Sequence, residues 1–375
     1  MSGPIDIAER VLSDNERRVL AIVRRDSATT RADVTQAIEL TAQSMSRIID
    51  SLVAQGFLTR GDRVPNGRGQ PSARLILNRS AAYSVGVSIM TDSVSGVVMD
   101  LGGDVIAADR ERLTGVDLDA ILRAIGSLHE RLLRAASIKL NQVAGVGIGV
   151  TGYFVGQGRR VNPPKPLDAL AMVDLDAVVA ELLRRPVWLD NDAKAAAMGE
   201  VLTGVGRRVR SFGYVHFAMG IGGAVVIDGQ VFAGAFGNAG EFGGVLHPSE
   251  HKQRPSLEML RRMVVQRGAR FADIDQMLEN FELALPGVED WLCAAKPKLD
   301  AIVSAISAVL DPEAIVLGGR LPRVLAVELS RRLSYYSVPR RGQHKPAPLL
   351  LASEVSGDAA AIGAAATPLK ARFFL

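Results

Sequence analysis

The chain has 375 residues, 48% of them hydrophobic and 22% charged, with a formal net charge of +4, which points to two or three domains with sizeable cores. Its apolar runs break at Gly or at charge well before 18 residues, so no membrane span is expected, and its first residues lack the apolar middle of a signal peptide, which predicts a cytoplasmic protein. The single cysteine, Cys293, excludes an intrachain disulfide and a thiolate-rich metal site, and reads as a small buried apolar residue.

The first eighty residues carry 12 Arg, no Lys and 9 acids, a modest basic surplus that fits either nucleic acid or a solvated basic face. Residues 15–27, "NERRVLAIVRRDS", place Val19, Leu20 and Val23 at helical spacing among Arg17, Arg18, Arg24 and Arg25. Thr30, with Asp33 three residues on, predicts a capping box for a short second helix. Thr41 caps a third helix, whose buried stripe is Met45, Ile48, Ile49, Leu52 and Val53 and which Gly56 ends. The positions left outside, Ala42, Gln43, Ser44, Ser46 and Arg47, are small or hydrogen-bonding, and no acid precedes Asp50. A recognition helix needs this at the end that approaches base edges and phosphates. Residues 57–78 read as strand, loop, strand, and the loop lifts Arg68 between Gly67 and Gly69, a side chain suited to a narrow minor groove. The sum is a winged helix-turn-helix over 1–79, with Thr41, Gln43, Ser44, Arg47 and Arg68 as DNA contacts. A plain three-helix bundle with a Gly-rich hairpin is the bland alternative.

From Tyr83 the pattern changes to alternating strands and helices, the mark of an α/β body. Two strands and a turn (83–106) precede a helix at "LDAILRAIGSLHERLLRAAS", a buried strand at "VAGVGIGVTGYF", a Pro-rich loop and a helix near 174–184. Then "WLDNDAKAAAMGE" (188–200) sets Asp190, Asn191 and Asp192 where a strand stops and an Ala-rich helix begins. Such a corner can hold a catalytic base, grip a sugar or cap a helix. A second α/β unit starts at "SFGYVHFAMGIGGAVV", continues through long helices over 257–310, and reaches a strand at 314–321. The expected division is a first lobe over 80–200 and a second over 201–375, the second with helical dimerisation elements, the C-terminal segment being free to return to the first.

Four segments in order, "LDNDAKAAAMGE", "GNAGEFGG", "DPEAIVLGGRL" and "GDAAAIGAA", resemble the ROK family, which groups sugar-responsive repressors with sugar kinases on an actin-like ATPase fold. The resemblance covers nearly the whole chain, including the winged head of the repressor branch. It implies a sugar or sugar derivative bound in the cleft between lobes by Asn191, Asp192, Glu241 and Glu258, with Asp192 at the kinases' general-base position. The departures matter as much. Where the kinases' first strand ends Asp-x-Gly-Gly-Thr, this chain has "SIMTD": Ser88 replaces the acid, Met90 and Thr91 the glycines, and Asp92 the Thr. Side chains at the Gly positions block close approach to phosphate and Asp92 repels it, so phosphoryl transfer should be nearly abolished. The family's zinc ligands become Gly244, Ser249, His251 and Ser256, and His247 with His251 make no full ligand set, so no metal and no cofactor are expected. Pro166 stands where the family has a sugar-contacting Asn. An unmatched buried polar group costs ~1–3 kcal/mol, which implies a different sugar, a phosphorylated or acidic derivative, or a weaker site. Lys194, where the family has Asn, fits an anion or else lies on an exposed helix face.

These observations predict a sugar-responsive transcriptional regulator rather than an enzyme. It would bind double-stranded operator DNA as a homodimer or higher homo-oligomer, because one head touches few base pairs. The alternatives are an ATP-dependent sugar kinase with an appended head, and a DNA-binding protein whose rear domain serves only to dimerise.

Overall fold

A computed structural model describes residues 6–26, 29–64, 72–113, 117–156 and 160–375; of these, the side chains of residues 63, 64, 72 and 252 are left aside. The head is built from α1 (Asp14–Arg25), α2 (Arg31–Ile38), α3 (Ala42–Ala54) and the antiparallel pair β1 (Leu58–Val64) and β2 (Ser72–Leu77). Both first helices open on reciprocal capping boxes, Ser13 with Glu16 and Thr30 with Asp33, and Thr41 caps α3. Val19, Leu20 and Val23 are buried, as are Met45, Ile49 and Leu52. Ile48 and Val53 are only half-buried, because the i, i+4, i+7 row of Met45, Ile49 and Leu52 centres the stripe and leaves them on its two flanks. Gly56, at φ 79°, lets the chain leave α3 for β1. Arg68 lies outside the described residues.

The body continues with β3 (Tyr83–Ile89), β4 (Ser93–Asp100), β5 (Val105–Arg112), α4 (Leu118–Ala135) and β6 (Val143–Val150). A small hairpin of β7 (Tyr153–Val155) and β8 (Arg160–Asn162) follows, then α5 (Leu175–Leu183), β9 (Val187–Asn191) and α6 (Asp192–Thr203). The rest comprises β10 (Phe212–Phe217), β11 (Ile221–Ile227), β12 (Gln230–Phe232), α7 (Leu257–Gln266), α8 (Ile274–Glu279), α9 (Val288–Leu310), β13 (Ala314–Gly319), α10 (Arg323–Arg332), β14 (Leu349–Ala352) and α11 (Ala359–Phe373). The strands form two five-stranded sheets, β5-β4-β3-β6-β9 and β12-β11-β10-β13-β14.

The chain divides into two compact units, residues 1–150, 164–190 and 364–375 in one and residues 151–163 and 191–363 in the other. The break therefore falls before α6 and not at residue 200, since α6 packs on β10 and β11. In the first unit, the last residues of α11 meet both the sheet and the head. An added Cβ on Gly147 would lie 1.9 Å from the Ala364 carbonyl oxygen, so only Gly lets the helix sit on β6. The Phe373 ring stands 5.5 Å from that of Phe57, and Arg372 donates to the Ile7, Ala8 and Arg10 carbonyls. In the second unit the two-residue period of β10 sends Val215 and Phe217 toward α9, where Trp291, Leu299 and Ile302 are buried. It sends Phe212 and Tyr214 to the other face, against Ala196, Ala197 and Val201 of α6. Cys293 is exposed on α9, its thiol 3.6 Å from Glu289 Oε1, which corrects the expectation of a buried residue.

Candidate functional site

The corner at 190–192 resolves into distinct roles. Asn191 is the cap of α6: its Oδ1 accepts from the Ala193 N–H at 2.9 Å and the Lys194 N–H at 3.4 Å, and its Nδ2 donates to the Gly152 carbonyl at 2.7 Å. Both ends of that amide are thereby engaged within the protein. Asp192 is the first helical residue, at the positive end of the α6 dipole. Its Oδ1 accepts from the Ala193 N–H at 2.8 Å and its Oδ2 from Thr151 Oγ1 at 2.7 Å. His216 Nε2 lies 3.9 Å from the same Oδ2, the two side chains 6% and 13% exposed. Glu200, at the far end of the quoted stretch, is fully buried and accepts from the Val205, Glu354 and Val355 N–H groups, which makes it a structural carboxylate.

Lys194 is 3% exposed, which overturns the exposed-face alternative. Its Nζ donates to the Gly237 carbonyl and stands 5.5 Å over the Phe154 ring. Asn238 grips Phe154 on both sides, accepting from its N–H at 2.8 Å and donating to its carbonyl at 2.9 Å. The loop that carries Glu241 is thus tied to α6 and to β7. Glu241 is open to solvent on one side, and among the described residues its carboxylate has no hydrogen-bond partner. Partial burial raises its pKa and the Asp192 charge adds to this, while Lys194 and Arg254 oppose. Two carboxylates therefore face a common space, one of them unpaired. Glu258 stands apart in role: in the first turn of α7 both its oxygens are held by Arg261, at 2.9 Å each.

Sequence reasoning missed His216 and Thr151. His216 was hidden in an apolar strand, although the period of β10 puts it on the α6 face with Tyr214. Burial lowers its pKa, with Arg320 assisting and Asp192 and Asp358 opposing. Burial thus favours the neutral ring, and among the described residues its Nδ1 is buried without a partner.

The segment that matches a kinase phosphate loop is an ordinary hairpin turn. Met90 N–H donates to the Ser93 carbonyl at 2.9 Å, Ser93 Oγ donates to Asp92 Oδ1 at 2.9 Å, and Arg110 lies 3.8 Å from that carboxylate. Two of the positions matching zinc ligands, Ser249 and Ser256, have other tasks. Ser256 caps α7, and the His247 ring accepts from the Ser249 N–H at 3.3 Å.

On the head, Thr41, Gln43, Ser44 and Arg47 are all exposed along the start of α3. Thr41 Oγ1 accepts from the Ser44 N–H at 3.3 Å and donates to Ser44 Oγ at 2.9 Å, so these two hydroxyls are linked. Asp50 is ion-paired to Arg60, which neutralises the one acid on the outer face of α3.

Taken as a class, a winged helix on an α/β body of two similar sheets is a winged-helix head joined to an actin-like ATPase fold. Residues 12–69 match the MarR family and residues 84–255 the ROK family. The uncharacterised protein y4fQ of Sinorhizobium fredii is 30% identical over 370 residues, 97% of this chain and 92% of that one. The xylose repressor of Caldicellulosiruptor bescii is 26% identical over 230 residues, 61% of this chain, which spans 57% of the repressor's own length. A solved ROK family transcriptional regulator, a homologue of the E. coli MLC protein, superposes with a TM-score of 0.70 at 20% identity, covering 95% of this chain and 96% of that one. The chain belongs to the ROK family.

Proposed function

We propose that the protein is a sugar-responsive transcriptional repressor that binds operator DNA through its winged head and a sugar through the Asp192–Glu241 face of its second unit. The observation that carries this reading is a winged head on a ROK body whose segment at the phosphate-loop position carries Met90, Thr91 and Asp92, the last beside Arg110. Asp192 keeps the kinase-base position, yet two N–H and O–H donors already use it as an acceptor, which suits ligand grip. The effector reading rests on Asp192 and Glu241, framed by Asn191; Glu258 joins only by releasing Arg261. A xylose-type neutral sugar is the first candidate, by likeness to the xylose repressors. Lys194 donates to Gly237 and lies over Phe154, so it would act on an anionic derivative through its charge, as it does on Glu241. The functional unit is a homodimer or higher homo-oligomer, because one head reads too few base pairs.

The test is capture of sheared genomic DNA on the immobilised full chain, washed with and without a sugar mixture and sequenced. Enrichment of a few sites, changed by sugar, supports the regulator; uniform recovery of all fragments refutes it. The kinase alternative keeps Asp192 in its favour, and sugar-dependent ADP release abolished by Asp192→Asn would establish it instead.

A further inference from the structure

His216 Nε2 and Asp192 Oδ2 are 3.9 Å apart, too far for a direct hydrogen bond. An oxygen at an ordinary ~2.8 Å from each fits that gap, the two bonds meeting at about 90°. We propose that His216 reads the effector directly, sharing one ligand hydroxyl with Asp192; the inference rests on the effector site proposed above.

The chemistry of the pair narrows what can occupy the gap. A carboxylate only accepts, so the bridging oxygen must donate to Asp192. The tautomer of His216 follows from its surroundings. A proton on Nδ1 would be a buried donor with nothing among the described residues to receive it, beside Gly319, whose added Cβ would lie 2.9 Å from that nitrogen. A proton on Nε2 sits on the nitrogen 3.9 Å from Asp192 Oδ2 instead. The bridging oxygen must therefore accept from Nε2–H as well as donate. An alcohol hydroxyl does both; an ether oxygen cannot donate, an ammonium cannot accept, and neither a carboxylate nor a phosphate dianion can donate. Thr151 Oγ1, on the same Oδ2 at 2.7 Å, turns the carboxylate and leaves that oxygen a second lone pair for the ligand. A side chain that served only to fill the α6 face of β10 needs no nitrogen at all, and a buried nitrogen left unpaired is a cost to folding.

Calorimetry on the full chain tests this, with D-xylose, D-glucose and their monodeoxy analogues as probes and thermal melting as the folding control. The expected result is that His216→Leu weakens the bound sugar by roughly tenfold or more, the loss of one good hydrogen bond. His216→Gln, whose side-chain amide carries an N–H to nearly the same place, retains affinity to within about threefold. One monodeoxy analogue should bind wild type and His216→Leu equally, because the hydroxyl that His216 reads is already gone; a purely structural role would weaken all analogues alike. If His216→Leu does not fold, the Gln variant and the deoxy series on wild type decide: one hydroxyl whose removal costs wild type tenfold must cost the Gln variant as much. Sugar binding that His216→Leu leaves unchanged would overturn the assignment alone. Binding of no sugar by the unaltered chain would overturn the effector reading and the assignment together.

Discussion

Replacing Asp192 by Asn keeps shape and removes charge, and its effects separate stability from response. The carboxylate sits in the first turn of α6, where an anion and the helix dipole attract by about 0.3–1 kcal/mol, more when partly buried. It also accepts a charge-assisted bond from Thr151 at 2.7 Å, and such bonds are roughly twice as strong as neutral ones. The Asn oxygen stays with the fixed Ala193 N–H and its NH2 takes the Oδ2 place, where the Thr151 hydroxyl can turn to accept, so about 1 kcal/mol of each kind is lost rather than the whole contact. The fold should lose about 1–2 kcal/mol and survive. Ligand binding should suffer far more, because an amide that turns its NH2 toward the ligand hydroxyl replaces an acceptor by a donor; a loss of about a hundredfold is expected. Urea titration gives the first quantity, sugar calorimetry the second, and fluorescence anisotropy on operator DNA without sugar should show no change. Wild-type sugar affinity in Asp192→Asn, with the fold intact, would refute the placement of the effector.

His129 of α4 is 4% exposed, and burial, with the Arg185 charge behind it, lowers its pKa from 6.5 to about 4. The unfolded chain binds the proton first, so this contribution to stability is complete above pH 6.5, declines as pH falls, and is gone near pH 4, by at most about 3 kcal/mol. His129→Leu should flatten that part of the pH–stability profile measured by urea titration; an unchanged slope would contradict the buried neutral imidazole. Gly363→Ala would put a Cβ 1.6 Å from the Ala195 carbonyl oxygen and 2.8 Å from the Gly199 nitrogen, where α11 and α6 touch backbone to backbone. It should cost about 3 kcal/mol, visible as a lowered melting temperature, and a neutral result would mean the helices separate easily. Arg47→Ala and Arg68→Ala should each weaken operator binding by about 1–3 kcal/mol and leave sugar affinity unchanged. Equal operator affinity in both variants would remove α3 and the wing as readers.

Much of this was legible in the sequence, and the reasons differ by element. The Thr30–Asp33 box, the Thr41 cap and the Gly56 exit are local signals, and each stands where its residues put it. The alternating strands and helices of the body are long and periodic, so both sheets follow. Lys194 was not legible because α6 buries Ala193 through Ala197 in succession. A helix covered on all sides has no polar stripe from which to orient one Lys. The division of labour at 190–192 depended on which side chain meets the Gly152 carbonyl, a contact 39 residues distant in sequence. His216 needed the strand period to be carried through an apolar run, where a lone His reads as filler. The Glu258–Arg261 pair, by contrast, is an i, i+3 spacing that the sequence offered plainly.

The most direct test of a sugar-responsive repressor is the affinity of the full chain for a captured operator fragment, measured by fluorescence anisotropy across a titration of D-xylose and the other neutral sugars. The account predicts that one sugar shifts operator affinity by at least about tenfold, a coupling of about 1.4 kcal/mol, and that Asp192→Asn binds the operator equally well but no longer responds. Operator affinity that no sugar alters, or a response that survives Asp192→Asn undiminished, would contradict it.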